Sequence, residues 1–291
     1  MSRIHDALKR AGQNTDGLVE NVGRIAELKQ SGFEAAAAAA AQMSPDPLER
    51  CASANWNPDH NTMLFFQPTP GSPGDEQFRT LRSRLYQLRQ HQPLKKLLVT
   101  SAMPKEGKTM VAANLAQVIA CQHDRRTLLI DADLRCSHLH VPLGANPLPG
   151  LSEYLHGTCD EFAIIQRGPL PGLFFIPGGQ PDAQPLELLH NGRLRALLSC
   201  LEPLFDWIIL DSPPALPVSD ASLIAGHCDG VLVVVRAACT DFDVARRLRQ
   251  EFEEKQLLGV ILNGAAESQT YGNYFEDNAR QDGKTDRGLG V

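Results

Sequence analysis

Five short runs in this chain are built on consecutive apolar residues: KLLVTS (96–101), TLLID (127–131), WIILD (207–211), GVLVVVR (230–236) and LGVILN (258–263). A strand with one wet face alternates apolar and polar residues. These do not, so both faces must be covered. Between them lie helix-period patterns, for example over 109–120 and 186–200. Strands buried on both sides and separated by helices predict an α/β fold, a mostly parallel sheet with helices on both faces. With 291 residues, 43% of them hydrophobic, the chain can fill such a core. In sheets of this kind ligands bind beyond the carboxyl ends of the strands, so the residues after each run carry the functional question.

The first run leads into Ala102, Met103, Pro104, Lys105, Glu106, Gly107, Lys108 and Thr109, running into a helix. This is GxxxxGK[ST] with alanine at the first glycine position. A tight loop of this type offers backbone N–H groups to phosphates, a lysine to the terminal phosphates and a hydroxyl to Mg²⁺. The same residues taken alone also suit an ordinary strand-to-helix turn. The second run ends in Asp131-Ala132-Asp133-Leu134-Arg135 and the third in Asp211-Ser212-Pro213-Pro214. Acids at strand ends are costly unless a cation or proton donor meets them, and they suit metal coordination and activation of a nucleophile near a γ-phosphate. A solvated turn with an Asp–Arg pair is the plainer alternative for the second run. Taken together and in this order, the three motifs predict a P-loop nucleotide-binding domain using ATP and Mg²⁺.

Outside this region the sequence is of another kind. Residues 2–12 set Ile4, Ala7, Leu8 and Ala11 on one helical face. An alanine run follows, then a stretch rich in Pro, Asn, Ser and Gly from 44 to 75, which reads as a linker. After Gly264 the polar, aperiodic remainder reads as a mobile tail. The expected division is therefore 1–75 for the N-terminal helix and linker, 76–264 for the P-loop domain and 265–291 for the tail. The longest apolar run near the N-terminus, 35–41, is well short of the ~18 residues of a membrane span, and no signal-peptide pattern opens the chain. Seven scattered cysteines show no metal spacing, so a cytoplasmic protein with reduced thiols is expected. The net charge of −6 argues against non-specific nucleic-acid binding. In the basic run 246–249, nearby acids point to a mixed solvated helix face.

The central region resembles the kinase domain of the bacterial tyrosine autokinases of capsular and exopolysaccharide synthesis, the CapB/CpsD-like family. The matching runs are EQFRTLRSRL (76–85), VTSAMPKEGKTMVAANLA (99–116), LLIDADLR (128–135), GLSEYL (150–155), FIPGGQPDAQPLELL (175–189), FDWIILDSPPALPVSDA (205–221) and DGVLVVVRA (229–237), spread over about two-thirds of the chain. ParA/MinD-type ATPases are wider relatives. They usually carry a lysine where this chain has Met103, and the kinases commonly have glycine where it has Lys105.

The resemblance implies that residues 104–110 bind ATP, with Lys108 on the phosphates and Thr109 on Mg²⁺. It implies that Asp131 assists an attacking tyrosine hydroxyl, that Asp133 lies near the metal, that Asp211 holds it, and that Asn263 contacts adenine. It further implies that Glu76, Arg79 and Arg82 form a subunit contact in a homo-oligomer, in which the tail tyrosines Tyr271 and Tyr274 are phosphorylated in trans. Without the resemblance those three charges are the solvated face of an amphipathic helix. Relatives without their own membrane spans work with a transmembrane chain-length regulator, which implies recruitment to the inner face of the membrane. Two other functions fit the same residues: an ATPase switch without kinase activity, and a non-catalytic regulator of polysaccharide export. The latter has no need for Lys108, Thr109, Asp131 and Asp211.

Overall fold

The computed structural model describes residues 46–66, 73–252 and 257–265. The expected helix at 2–12, the alanine run and both tail tyrosines lie outside them. The chain divides into two units, Met1–Glu49 and Arg50–Val291. In the first, the described residues are 46–49, where Glu49 N–H donates to the Asp46 carbonyl at 2.8 Å. The sheet and every described α-helix belong to the second.

Eight strands form one sheet: β1 (Ala52–Ser53), β2 (Lys96–Ser101), β3 (Thr127–Asp131), β4 (Gln166–Arg167), β5 (Leu173–Ile176), β6 (Trp207–Asp211), β7 (Gly230–Arg236) and β8 (Leu257–Asn263). Their spatial order is β1-β4-β5-β3-β6-β2-β7-β8. Every pairing is parallel except β4 with β5. The helices in chain order are α1 (Pro73–Arg89), α2 (Lys108–Ala120), α3 (His140–Leu143), α4 (Leu151–His156), α5 (Pro185–His190), α6 (Arg193–Leu201), α7 (Asp220–Ala225) and α8 (Phe242–Glu251).

Both sheet faces are covered, as the unalternating strands require. Leu97, Val99, Leu129, Phe175, Ile209, Leu232 and Val234 share one core cluster with α2, against which Phe78 and Leu81 of α1 also pack. The intervening residues Leu98, Leu128, Ile130, Ile208, Leu210, Val231 and Val233 are equally buried and face the opposite way, because successive side chains alternate. The connection from β2 to β3 runs in the opposite direction along the sheet from β5 to β6, β6 to β7 and β7 to β8. Right-handed crossovers then place α2 on one face and α5 to α8 on the other.

Three expectations are corrected. The segment 44–75 is not simply a linker: Trp56, Met63 and Phe65 are buried in the core. It is held there by two buried amides of α2, with Asn114 Oδ1 accepting Leu64 N–H at 2.8 Å and Gln117 Oε1 accepting Phe65 N–H at 3.2 Å. The helical pattern at 186–200 is two helices, not one. Gly192 takes φ +78°, and Asn191 spends its side chain on Leu155 O (3.0 Å) and Arg193 N–H (2.9 Å) instead of continuing the helix. Strands β1, β4 and β5 join the five expected ones. Two of them have two residues each, and the third, LFFI, sits between Pro/Gly turns, so none carries a readable period. Among the described residues no helix is long and apolar enough to cross a membrane.

Candidate nucleotide site

Register brings the motifs together. β6 lies between β3 and β2, and at their carboxyl ends Asp131 is the direct partner of Asp211, which is in turn the partner of Val99. The loop after β2 then turns back over these acids into α2, whose first residue is Lys108. Lys108 Nζ lies 3.5 Å from Asp133 Oδ2 and 3.7 Å from Asp211 Oδ1, and donates to Thr109 Oγ1 at 3.1 Å. Lys108, the Thr109 hydroxyl, Asp133 and Asp211 thus come together at the carboxyl ends of the strands. Pro104 and Lys105 are exposed on the loop, and Met110 is half-buried at the start of α2.

The loop's backbone explains its unusual sequence. Its left-handed positions are Lys105 (φ +69°) and Gly107 (φ +95°). Ala102 is not among them, so alanine replaces the motif's first glycine without strain. Lys105 occupies the conformation that glycine adopts more readily. At Gly107 the left-handed φ favours glycine, and a Cβ there would also push against the Asn263 side-chain amide. Asn263, at the end of β8, donates through Nδ2 to the Glu106 carbonyl at 2.9 Å. Its described partner is thus the loop backbone. Glu106 itself is buried, and its Oε2 accepts Met103 N–H at 2.7 Å.

The three acids differ in how fully they are satisfied. Asp131 Oδ2 accepts from Ser137 Oγ (2.8 Å), His138 N–H (3.1 Å) and Leu139 N–H (3.1 Å), while Oδ1 takes Asp133 N–H at 3.2 Å. Burial nonetheless pushes its carboxyl up to about 6. Asp133 Oδ1 accepts Cys136 N–H at 3.0 Å. Asp211 Oδ1 is buried with no hydrogen-bond partner. Burial, and secondarily the Asp131 charge, pushes that carboxyl up to about 7 against the pull of Lys108. An anionic oxygen left bare beside a threonine hydroxyl and a lysine is what a cation would complete. Among the described residues no three His, Cys, Asp or Glu side chains converge to cage a metal, so a cation there would also need oxygens from a ligand.

The positions implied for subunit contact lie on α1. Glu76 and Arg79 are exposed and 3.6 Å apart. Arg82 Nη1 donates to Val118 O at the end of α2 (2.8 Å), which fixes α1 to the helix that follows the phosphate loop. Ser137, which orders Asp131, and Thr240, which bonds to Glu106, carried no sequence signal.

A phosphate loop, a strand-end acid pair and a parallel sheet whose connections reverse beside them define a P-loop nucleotide-binding domain. No protein-family model matches the chain. It is 36% identical over 182 residues to the tyrosine-protein kinase CpsD of Streptococcus agalactiae, covering 61% of this chain and 79% of that protein. The kinase domain of the Escherichia coli tyrosine kinase ETK superposes with a TM-score of 0.68 at 33% identity, covering 73% of this chain and 82% of that one. The chain therefore belongs to the bacterial tyrosine-protein kinase family. It is also 34% identical over 223 residues to the tyrosine-protein kinase Wzc of Salmonella typhimurium; the match takes in 74% of this chain but only 31% of that longer relative.

Proposed function

We propose that the chain is an ATP- and Mg²⁺-dependent protein-tyrosine kinase of an exopolysaccharide or capsule system, phosphorylating Tyr271 and Tyr274 of a neighbouring copy. The observation that carries the reading is Asp211 Oδ1, buried without a hydrogen-bond partner 3.7 Å from Lys108 Nζ. Such a group is tolerated where a ligand completes it. Residues 104–110 would surround the phosphates, with Lys108 on the terminal ones. Thr109 and Asp211 would hold Mg²⁺, with Asp133 beside it, and the cation would neutralise phosphate charge. Asp131 Oδ1 carries one longer bond, from Asp133 N–H, which leaves it a lone pair for the proton of the attacking tyrosine hydroxyl. Asn263 would border the base. The exposed Glu76 and Arg79, with Arg82, would form the contact that presents one subunit's tail to the next. A transmembrane chain-length regulator would recruit the assembly to the cytoplasmic face of the membrane.

The test is phosphosite mass spectrometry after incubation with ATP and Mg²⁺, with the regulator's cytoplasmic segment present and Lys108→Ala as control. Phosphate on Tyr271 or Tyr274, absent from the control, is the expected result. Unmodified tyrosines alongside measurable ATP hydrolysis would overturn the kinase reading in favour of an ATPase switch.

A further inference from the structure

The phosphate loop is held from outside every motif that defines it. Arg236, the last residue of β7, donates its N–H to Thr240 Oγ1 in the following turn at 3.1 Å, and Thr240 Oγ1 is hydrogen-bonded to Glu106 Oε1. A hydroxyl has one hydrogen, and an ionised carboxylate only accepts. The chain of bonds therefore has one direction: Arg236 N–H to Thr240, and Thr240 O–H to Glu106. Glu106 in turn takes the Met103 N–H on its other oxygen (2.7 Å), closing the loop on itself. The Arg236 guanidinium donates to Lys105 O at 3.1 Å, at the residue with left-handed backbone.

We propose that Thr240 is a positioning residue for the nucleotide, a latch that keeps the phosphate loop in its binding shape before any ligand arrives. Glu106 is 4% exposed. Without the Thr240 hydroxyl, its Oε1 loses its hydrogen-bond donor in a buried place. The carboxylate must then swing out towards another donor, and that movement frees Met103 N–H. Lys105 is left in a conformation its side chain disfavours with one restraint fewer. The loop then populates other shapes, and a ligand must draw it back, so apparent affinity falls by the fraction no longer competent. Phosphate oxygens rebuild the loop once bound, so the effect falls on nucleotide affinity and not on turnover at saturation.

The inference rests on the nucleotide-binding reading of the site, and its test separates the two. In the full chain, Thr240→Val removes both bonds at nearly constant volume, and Thr240→Ser keeps both. Thr240 sits half-buried in a turn outside the core, so neither change threatens the fold. The expected result with a fluorescent Mg-ADP analogue is affinity weakened roughly tenfold in Thr240→Val and restored in Thr240→Ser. For ATP, KM should rise by the same factor while kcat stays within about twofold. Hydrogen exchange at the Met103 amide, measured without ligand, should quicken in Thr240→Val only. Unchanged affinity in Thr240→Val, or a loss that Thr240→Ser does not repair, would overturn the latch. If the wild-type chain binds no nucleotide, the nucleotide-binding reading falls and exchange decides alone: equal Met103 rates in wild type and Thr240→Val would overturn the latch as well.

Discussion

Two lysines sit at opposite ends of the same sheet, each facing two acids, and they are built to different standards. At the amino end, Lys96 Nζ meets Glu202 Oε2 at 2.7 Å and Asp229 Oδ1 at 3.4 Å, and Asp229 Oδ2 also accepts Lys95 N–H (2.8 Å) and Lys96 N–H (2.7 Å). At the carboxyl end, Lys108 stands 3.5 Å from Asp133 and 3.7 Å from Asp211, whose Oδ1 has no hydrogen-bond partner. The charges are the same, one lysine and two carboxylates, and the difference is satisfaction. The first cluster ties β2 to β7 and has little left to offer a ligand. The second keeps a carboxylate oxygen without a hydrogen-bond partner beside a cation in a buried place, which folding alone does not reward.

The sharpest break is between the two lysines. Lys108→Met should cut phosphotransfer, followed as ATP-dependent tyrosine phosphorylation, by about 10²–10³-fold, in line with losing a charge that stabilises the transition state. Lys96→Met should leave turnover within a few-fold and lower the melting temperature instead.

The acids should cross over. Asp229→Asn leaves the two backbone donors a weaker, uncharged acceptor and turns an amide NH2 towards Lys96 Nζ, so it should cost about 1–3 kcal/mol in denaturant unfolding. Asp211→Asn removes a fully buried carboxylate whose Oδ1 has no hydrogen-bond partner, so the ligand-free protein should be as stable as wild type or more so, while Mg²⁺ ceases to strengthen nucleotide binding. Equal destabilisation by both changes would erase the distinction between the two clusters.

Acidity gives a milder test. Burial lifts Asp211 to about 7 from an ordinary 3.8. The folded chain therefore keeps a proton that the unfolded chain has lost across that window. That contribution is fully present below about 4 and is lost as pH rises towards 7. Asp131, lifted to about 6, acts in the same direction. Thermal melts between pH 5 and 8 should show Mg-nucleotide stabilising the protein more at the upper end, with the trend flattened in Asp211→Asn.

The smallest effect concerns the loop backbone. With Lys105 at φ +69°, Lys105→Gly should be more stable than Lys105→Ala by ~1 kcal/mol, because both lose the charge and only alanine keeps the left-handed penalty. Equal unfolding midpoints would mean that the residue does not hold that conformation in solution.

The same contrast explains what the sequence made readable. Long strands buried on both faces announce themselves as apolar runs, and their terminal acids stand in fixed order, so β2, β3, β6, β7 and β8 and the residues Lys108, Thr109, Asp131, Asp133 and Asp211 were legible. Trp56, Met63 and Phe65 were not. They are scattered among Pro and Asn, and the groups that anchor their segment, Asn114 and Gln117, look like ordinary polar helix positions until both prove fully buried. Nor was the bond between Thr240 and Glu106, because 134 residues separate its partners and neither belongs to a period. Local patterns reveal what a segment needs from its own neighbours. Long-range side-chain bonds leave no such trace.

Asn263 has a dimensional consequence. Because it ends β8 against the phosphate loop, every residue after it is measured from the nucleotide site. Tyr271 follows by eight residues and Tyr274 by eleven (271 − 263 and 274 − 263). At roughly 3.5 Å per fully extended residue they reach at most about 28 Å and 38 Å. The tail is thus a ruler with its zero at the active loop. For the proposed in-trans reaction, an arrangement of subunits that sets the neighbour's phosphate loop farther from the end of β8 than this backbone reach plus one tyrosine side chain is too wide at either tyrosine.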